Sequence, residues 1–327
     1  MNATSTISPT IEPHEPHWVT KAAFPVIMTI FYFTQIALGF AVYWSLYWLA
    51  VPLVLVSSHL MHGVLVALHE ASHGLLRKNR TLNEIDGILI AAFAGVSFSL
   101  YRVAHQSHHA HLATERDEEL WPFVDTGASR PARILAAILE LGLGMFYTSF
   151  LFIRAFLRPG STIRKRNLRR RIWAEFGLVV CLWIVILGGV AWFGVWKYFI
   201  WLYLAPAWLA GNMQSLRKYI EHVGLLGSTV NGSTRSIVAR GWLGKLVAFT
   251  LLHEPFHGVH HRYSGLPHAK LPQFVALLEP ATPDERPPFP SYWQAFQDLF
   301  QSLANPRVGA QWNIAKPVGT DQLAQAG

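Results

Sequence analysis

Residues 22–68 read AAFPVIMTIFYFTQIALGFAVYWSLYWLAVPLVLVSSHLMHGVLVAL, 47 positions without one Asp, Glu, Lys or Arg. A helix needs about 20 apolar residues to cross a bilayer. The stretch therefore holds two crossings, 22–43 and 46–68, joined by a tight turn near Tyr43–Leu46. A membrane hairpin is the frame from which the rest of the chain is read.

A second pair follows at 172–193 and 198–216, with Gly194–Lys197 as its turn. Glu175 falls near one end of its crossing, where a charge is tolerated. Ile85–Leu100 and Ile134–Leu157, the latter interrupted by Glu140, are apolar too. Both are read as interfacial or buried helices, because four crossings place the basic residues more consistently.

Composition agrees. Hydrophobic residues make up 52% and charged residues 14%, against about 45–50% and about 25% in soluble domains. The 13 Trp and 20 Phe suit a chain with membrane interfaces. Cys181 is the single cysteine, which excludes an intrachain disulfide and a cysteine-based metal site.

A net charge of +8 would also suit nucleic acid, so the positions of the charges decide. Of 27 Lys and Arg, 15 lie in 74–171, including the run RKRNLRRR at 164–171, and 10 lie in 217–327. With Lys21, four crossings put 26 of the 27 on one side, and Lys197 alone on the other. The positive-inside rule makes that side cytoplasmic. Both termini are expected there, in the inner membrane if the cell is bacterial. A basic run beside a crossing suits anionic lipid head groups, so the bilayer is the expected partner and nucleic acid is not.

Residues 1–20 form a polar segment without the basic start of a cleaved signal peptide. The membrane domain is expected over 21–305, with 306–327 as a loose tail.

The chain has 16 His, and most are grouped. His69 and His73 (HEASH) follow the second crossing, and His222 ends the fourth. His105, His108 and His109 (HQSHH) fall in the cytoplasmic segment, and His257, His260 and His261 (HGVHH) in the last one. Histidines four apart face one side of a helix, so His69 and His73 can grip one metal. In HxxHH the first two share a face and the third points about 100° away, toward a second metal. Nine imidazoles exceed the four ligands of a zinc ion and suit two metals. Imidazole by itself accepts Zn, Cu, Fe or Ni.

Other histidines have plainer readings. His14, His17 and His268 are read as structural. His59 and His62 lie inside the second crossing, where they either hydrogen-bond between helices or line a substrate tunnel. HEASH and HEPFH (253–257) both match the H-E-x-x-H of zinc proteases, with Asp86 as a candidate third ligand, but that reading leaves HQSHH and HGVHH unused. A metal transporter should carry its ligands at the midplane, where only His59 and His62 lie.

The ordered boxes resemble those of the membrane fatty-acid desaturase superfamily, which includes related hydroxylases and ketolases. HxxxH matches His69–His73, followed by Gly74. HxxHH matches His105–His109, preceded by Tyr101 and Arg102 and followed by an acidic stretch at 114–119. The third box matches Phe256–His261, with Leu266-Pro267 and Leu271-Pro272 beyond it. The likeness covers roughly residues 20–275.

The resemblance implies two iron ions held by His69, His73, His105, His108, His109, His222, His257, His260 and His261. It implies O2 as co-substrate. Some acyl-CoA desaturases of the superfamily place an Asn ligand where Lys218 stands here, and His253 is the candidate substitute. Glu70, Glu221 and Glu254, beside the ligands, are expected to hydrogen-bond imidazole N–H groups, and Asp117 and Glu118 are further candidates.

The implied reaction is O2-dependent desaturation of an acyl chain carried by a lipid, CoA or a carrier protein. Hydroxylation or ketolation of an alkyl, sphingolipid or carotenoid substrate is the alternative. No CxxC pair, flavin fingerprint or fused cytochrome segment is present in the sequence, so a separate ferredoxin or cytochrome is the expected electron donor. The expected architecture is an all-α membrane protein: four transmembrane helices in two hairpins, with a helical cytoplasmic cap holding a di-iron site.

Overall fold

The computed structural model describes residues 14–313, and among them it is helical with no β-strand. Helix α1 spans Ala23–Tyr43 and α2 spans Tyr47–Ser72. Ser45, at φ 57°, turns the chain between them. The two pack along their length, and α2 runs past the apolar stretch to carry His69 at its end.

Helices α3 (Arg80–Phe93) and α4 (Phe98–Ala110) are bent by 100° at the break between them. Gly95 there adopts φ 74°, which a side chain disfavours. Ser97 then caps α4 by accepting the Leu100 N–H. The apolar run 85–100 is thus part of a short bent pair, which by length and composition amounts to a broken crossing or a re-entrant turn.

The run at 134–157 departs from expectation. It is two helices, α5 (Arg130–Gly142) and α6 (Gly144–Leu157), broken at Leu143. The reason is a close crossing. A Cβ on Gly144 would meet the backbone of Gly211, and one on Gly211 would stand 2.6 Å from Met145 N.

Helix α7 (Arg166–Phe193) begins inside the basic run rather than after it. Gly194 ends it in the left-handed conformation, at φ 65°. Helix α8 follows as Trp196–Phe199, a π-helical turn Ile200–Leu204, and Ala205–His222. It packs against α2 and α6. By length and composition α1, α2 and α7 can each cross a membrane, and none of α7's most apolar stretch is buried. Glu175 of α7 accepts from Ser97 and Ser99 hydroxyls and from the Ser99 N–H, each at 2.7 Å, so the span anchors the N-terminus of α4.

Beyond α8 the chain forms α9 (Trp242–Thr250), α10 (His257–Arg262) and α11 (Tyr292–Phe300). The expected loose tail is partly fixed. Val308 is fully buried and donates to Phe123 O, Gly309 donates to Leu225 O, and the Trp312 indole N–H donates to Phe123 O. Residues 314–327 of the expected tail, and 1–13 of the N-terminal segment, lie outside the described residues.

Candidate metal centre

The ends of α2 and α8, the last turns of α4 and the whole of α10 meet at one end of the bundle, and they bring the eight box histidines and His222 together. The donor atoms of His69, His73, His105, His109 and His260 lie within 4.8 Å of one another. Those of His108, His222 and His261 form a second group, joined by His257, whose Nε2 is 2.9 Å from His222 Nε2 and 3.0 Å from His261 Nε2.

The division of each HxxHH box differs from the sequence expectation. His105 and His109, four apart, share the first cluster, and His108 points to the second. His257 and His261 share the second, and His260 crosses to the first. Positions i+3 and i+4 fall on opposite sides of position i, at about −60° and +40° around the axis. With a cluster on each side of the helix, the i,i+4 pair faces one and the i+3 residue the other.

Several imidazoles have their outer nitrogen held. His108 Nδ1 is 2.8 Å from Asp117, His105 Nδ1 is 3.2 Å from Glu119, and His257 Nδ1 is 2.9 Å from Glu254. His222 Nδ1 is 3.0 Å from the Ser233 carbonyl. Acceptors at Nδ1 put the proton there and leave Nε2 with a bare lone pair. Burial, outweighing the adjacent Glu254 carboxylate, pushes His257 down to about 4, and burial also lowers His260 and His261. Neutral imidazole is the form a metal accepts.

Whether a metal fits can be read from His222 and His257. Both nitrogens that face each other at 2.9 Å belong to rings whose proton is committed to the other side. Two lone pairs so close need a cation between them. Nitrogen donors at right angles around an ion about 2.1 Å away stand about 3.0 Å apart, against about 3.4 Å in a tetrahedron. The recurring separations of 2.9–3.0 Å are those of donors that can share an ion, so the residues fit bound metal.

The predicted partners sort unevenly. Glu254 is buried between the clusters, bonded to His257 and 3.3 Å from His69 Nδ1. Glu221 stands 3.6 Å from His257 Nδ1. Glu70 bonds no imidazole, and its Oε2 accepts the His268 backbone N–H at 3.4 Å. Asp117 holds His108, whereas Glu118 turns away to Arg154 and Arg158. His253 joins neither cluster. Leu252 and His253 both adopt positive φ, 50° and 55°, which aims Glu254 inward and lays the His253 ring over His268. HEPFH is thus a turn rather than a helix face, and Asp86 pairs with Arg77, which removes the protease geometry. Lys218 pairs with Glu140 and the Glu119 carbonyl.

Two residues escaped the sequence reading. Glu119, last of the acidic stretch, orients His105. Arg217, buried, donates to both Glu221 and Glu254. The signal was available in part, since Arg217 and Glu221 stand at i,i+4 in RKYIEH.

A cavity of about 50 Å³ reaches both clusters and continues between α6 and α8, past Leu151, Phe152, Gln214 and Ser215. A separate, open depression is lined by half-buried His73, His109 and His261, together with Gln106, Ser264 and Gly265.

Apolar helices of membrane length thus meet a buried polyhistidine cluster whose donor atoms could hold metal ions. Residues 43–293 match the family model described as fatty acid desaturase, and the chain belongs to that family. It is 23% identical over 265 residues to an sn-1 acyl-lipid omega-3 desaturase (ferredoxin) of Synechocystis sp., covering 76% of this chain and 73% of that one. It is also 23% identical over 277 residues to the chloroplastic omega-3 fatty acid desaturase of Brassica napus, covering 76% and 65%. Family and relatives support an oxidoreductase.

Proposed function

We propose that the chain is an O2-dependent acyl-chain desaturase with two iron ions. One would be held by His69, His73, His105, His109 and His260, the other by His108, His222, His257 and His261. The observation that carries the metal reading is the bare-nitrogen contact of His222 and His257 at 2.9 Å. Bound iron would supply the reductive activation of O2 and the removal of hydrogen from an unactivated methylene, chemistry no amino-acid side chain performs.

The chain's own residues hold and shield. Asp117, Glu119, Glu254 and the Ser233 carbonyl fix the imidazoles. Arg217 balances the buried charge of Glu221 and Glu254. Leu151 and Phe152 flank the cavity through which an alkyl chain would approach.

Four crossings, α1, α2, α7 and α8, are proposed in two hairpins, with the histidine clusters and both termini on the cytoplasmic side, as the basic residues favour. A separate one-electron carrier of ferredoxin or cytochrome type would dock over the depression at His73, His109 and His261, where the clusters come nearest the surface. The substrate would be an acyl-lipid, acyl-CoA or acyl-carrier thioester.

Expression in a host lacking related enzymes, followed by mass spectrometry of its lipids, tests the reading. Loss of two mass units in an acyl chain is expected. A gain of sixteen would make the chain a hydroxylase, and one zinc per chain in place of about two irons would overturn the metal assignment.

A further inference from the structure

Glu140 and Lys218 stand out in the sequence, Glu140 as a charge inside an apolar run and Lys218 as a cation one turn before His222. In the fold they meet. The Lys218 ammonium on α8 donates to the Glu140 carboxylate on α5, and Glu140 also accepts from the Tyr219 hydroxyl at 3.1 Å. Glu140 and Tyr219 are fully buried. An ammonium has three donors, and a second one goes to the Glu119 backbone carbonyl at 3.1 Å. Lys218 therefore ties α5 and α8 to the turn that follows α4.

That turn supplies one acid to each cluster. Asp117, which holds His108, is fixed within the turn itself. Its carboxylate accepts the Ala113 N–H at 3.0 Å and the Glu119 N–H at 3.2 Å. The Glu119 carboxylate has no such local support. Among the described residues its only hydrogen bonds are those with His105 Nδ1, at 3.2 and 3.3 Å. Such lengths are at the long end for N–H···O, so a retreat of about 0.4 Å breaks them. The Glu119 Cα lies between that carboxylate and the carbonyl that Lys218 holds. Fixing the carbonyl fixes the point from which the side chain reaches.

We propose that Lys218, braced by Glu140, is a positioning residue for the cluster of His69, His73, His105, His109 and His260. It holds the backbone of Glu119, so that the Glu119 carboxylate keeps His105 turned toward that cluster. The proposal rests on the reading of the clusters as iron sites and adds to it a support one residue removed from a ligand. An ion pair that merely packs α5 against α8 would have no such effect on a metal.

The test is the rate at which the iron-loaded full chain in detergent gives up iron to bipyridine, read by absorbance. Lys218→Met should speed release of one of the two irons by about fivefold, less than the loss expected for Glu119 itself, and leave the other as it is. That variant strands the buried Glu140 carboxylate and is expected to fold less well. Lys218→Met with Glu140→Leu removes both charges, so it should melt near the parent and still release one iron faster. In a Glu119→Ala background, Lys218→Met should add less than about twofold, because residues acting through one contact are not additive. A double variant that keeps iron as the parent does would overturn the proposal. So would a Lys218→Met effect that persists in full without the Glu119 carboxylate. A parent chain with two irons and unchanged variants refutes only the role of Lys218. A parent chain that takes up no iron refutes the metal reading, and this role falls with it.

Discussion

The cluster of His69, His73, His105, His109 and His260 gathers five imidazoles, and among them His105 has its Nδ1 hydrogen-bonded to a carboxylate. The cluster of His108, His222, His257 and His261 has four, of which three are so fixed, to Asp117, to the Ser233 carbonyl and to Glu254. His109, His260 and His261 have Nδ1 atoms without a partner among the described residues. One cluster is rich in donors and the other in orientation, although the same two HxxHH boxes feed both. The difference teaches that a box is not a metal site. Each box is a divider that sends its i,i+4 pair one way and its i+3 residue the other.

Removing a donor should break the comparison most sharply. His222→Ala and His260→Ala should each lower iron from about two to about one per chain and reduce activity at least a hundredfold, read by metal analysis and lipid turnover. If either variant kept both ions, the division of ligands would be wrong.

Removing an orienting group should do less. Asp117→Ala and Glu119→Ala, each acting on one cluster, are expected to cost about 10–100-fold in metal affinity or activity. Glu118→Ala, whose carboxylate faces Arg154 and Arg158, should leave iron content as it is. Equal losses in all three would show that the acidic stretch acts as diffuse charge rather than through its individual contacts.

Arg217→Met probes what the two clusters share. It leaves Glu221 and Glu254 buried without their cation, a kind of loss that costs about 3–5 kcal/mol. A lowered melting temperature in detergent is the measurement, and an unchanged one would mean that the carboxylates take up protons instead.

The smallest effect is expected at His253. His253→Ala should retain two irons and nearly full activity, because the ring lies over His268 and outside both clusters. Loss of an ion would restore it as a tenth ligand.

Much of this was legible in the chain itself. Uncharged length gives the membrane frame without any tertiary knowledge, because a bilayer imposes its thickness on sequence. Eight of the nine histidines were legible because side chains that meet on one side of a helical segment recur at three or four residues. Glu254 could be named because it sits three residues before His257 on the same short stretch.

Other features depend on contacts between segments distant in sequence. Glu119 reaches His105 only because the turn after α4 folds back, and Arg217 matters only because Glu254 arrives from α10's side to meet it. The break at Leu143 reflects a crossing with Gly211, some seventy residues away, which local propensity does not register. Residues 307–309 looked like a polar tail, yet Phe123 and Leu225 offer carbonyls that hold them.

The sequence by itself determined the membrane frame, the identity of the nine imidazoles and their order along the chain. Only the tertiary structure decided which imidazole faces which cluster, which acids hold them and which polar atoms wall the cavity. Periodicity is a property of one helix and can be read along it. The side of a helix that meets a partner depends on where several helices cross, and that information is spread over the whole fold.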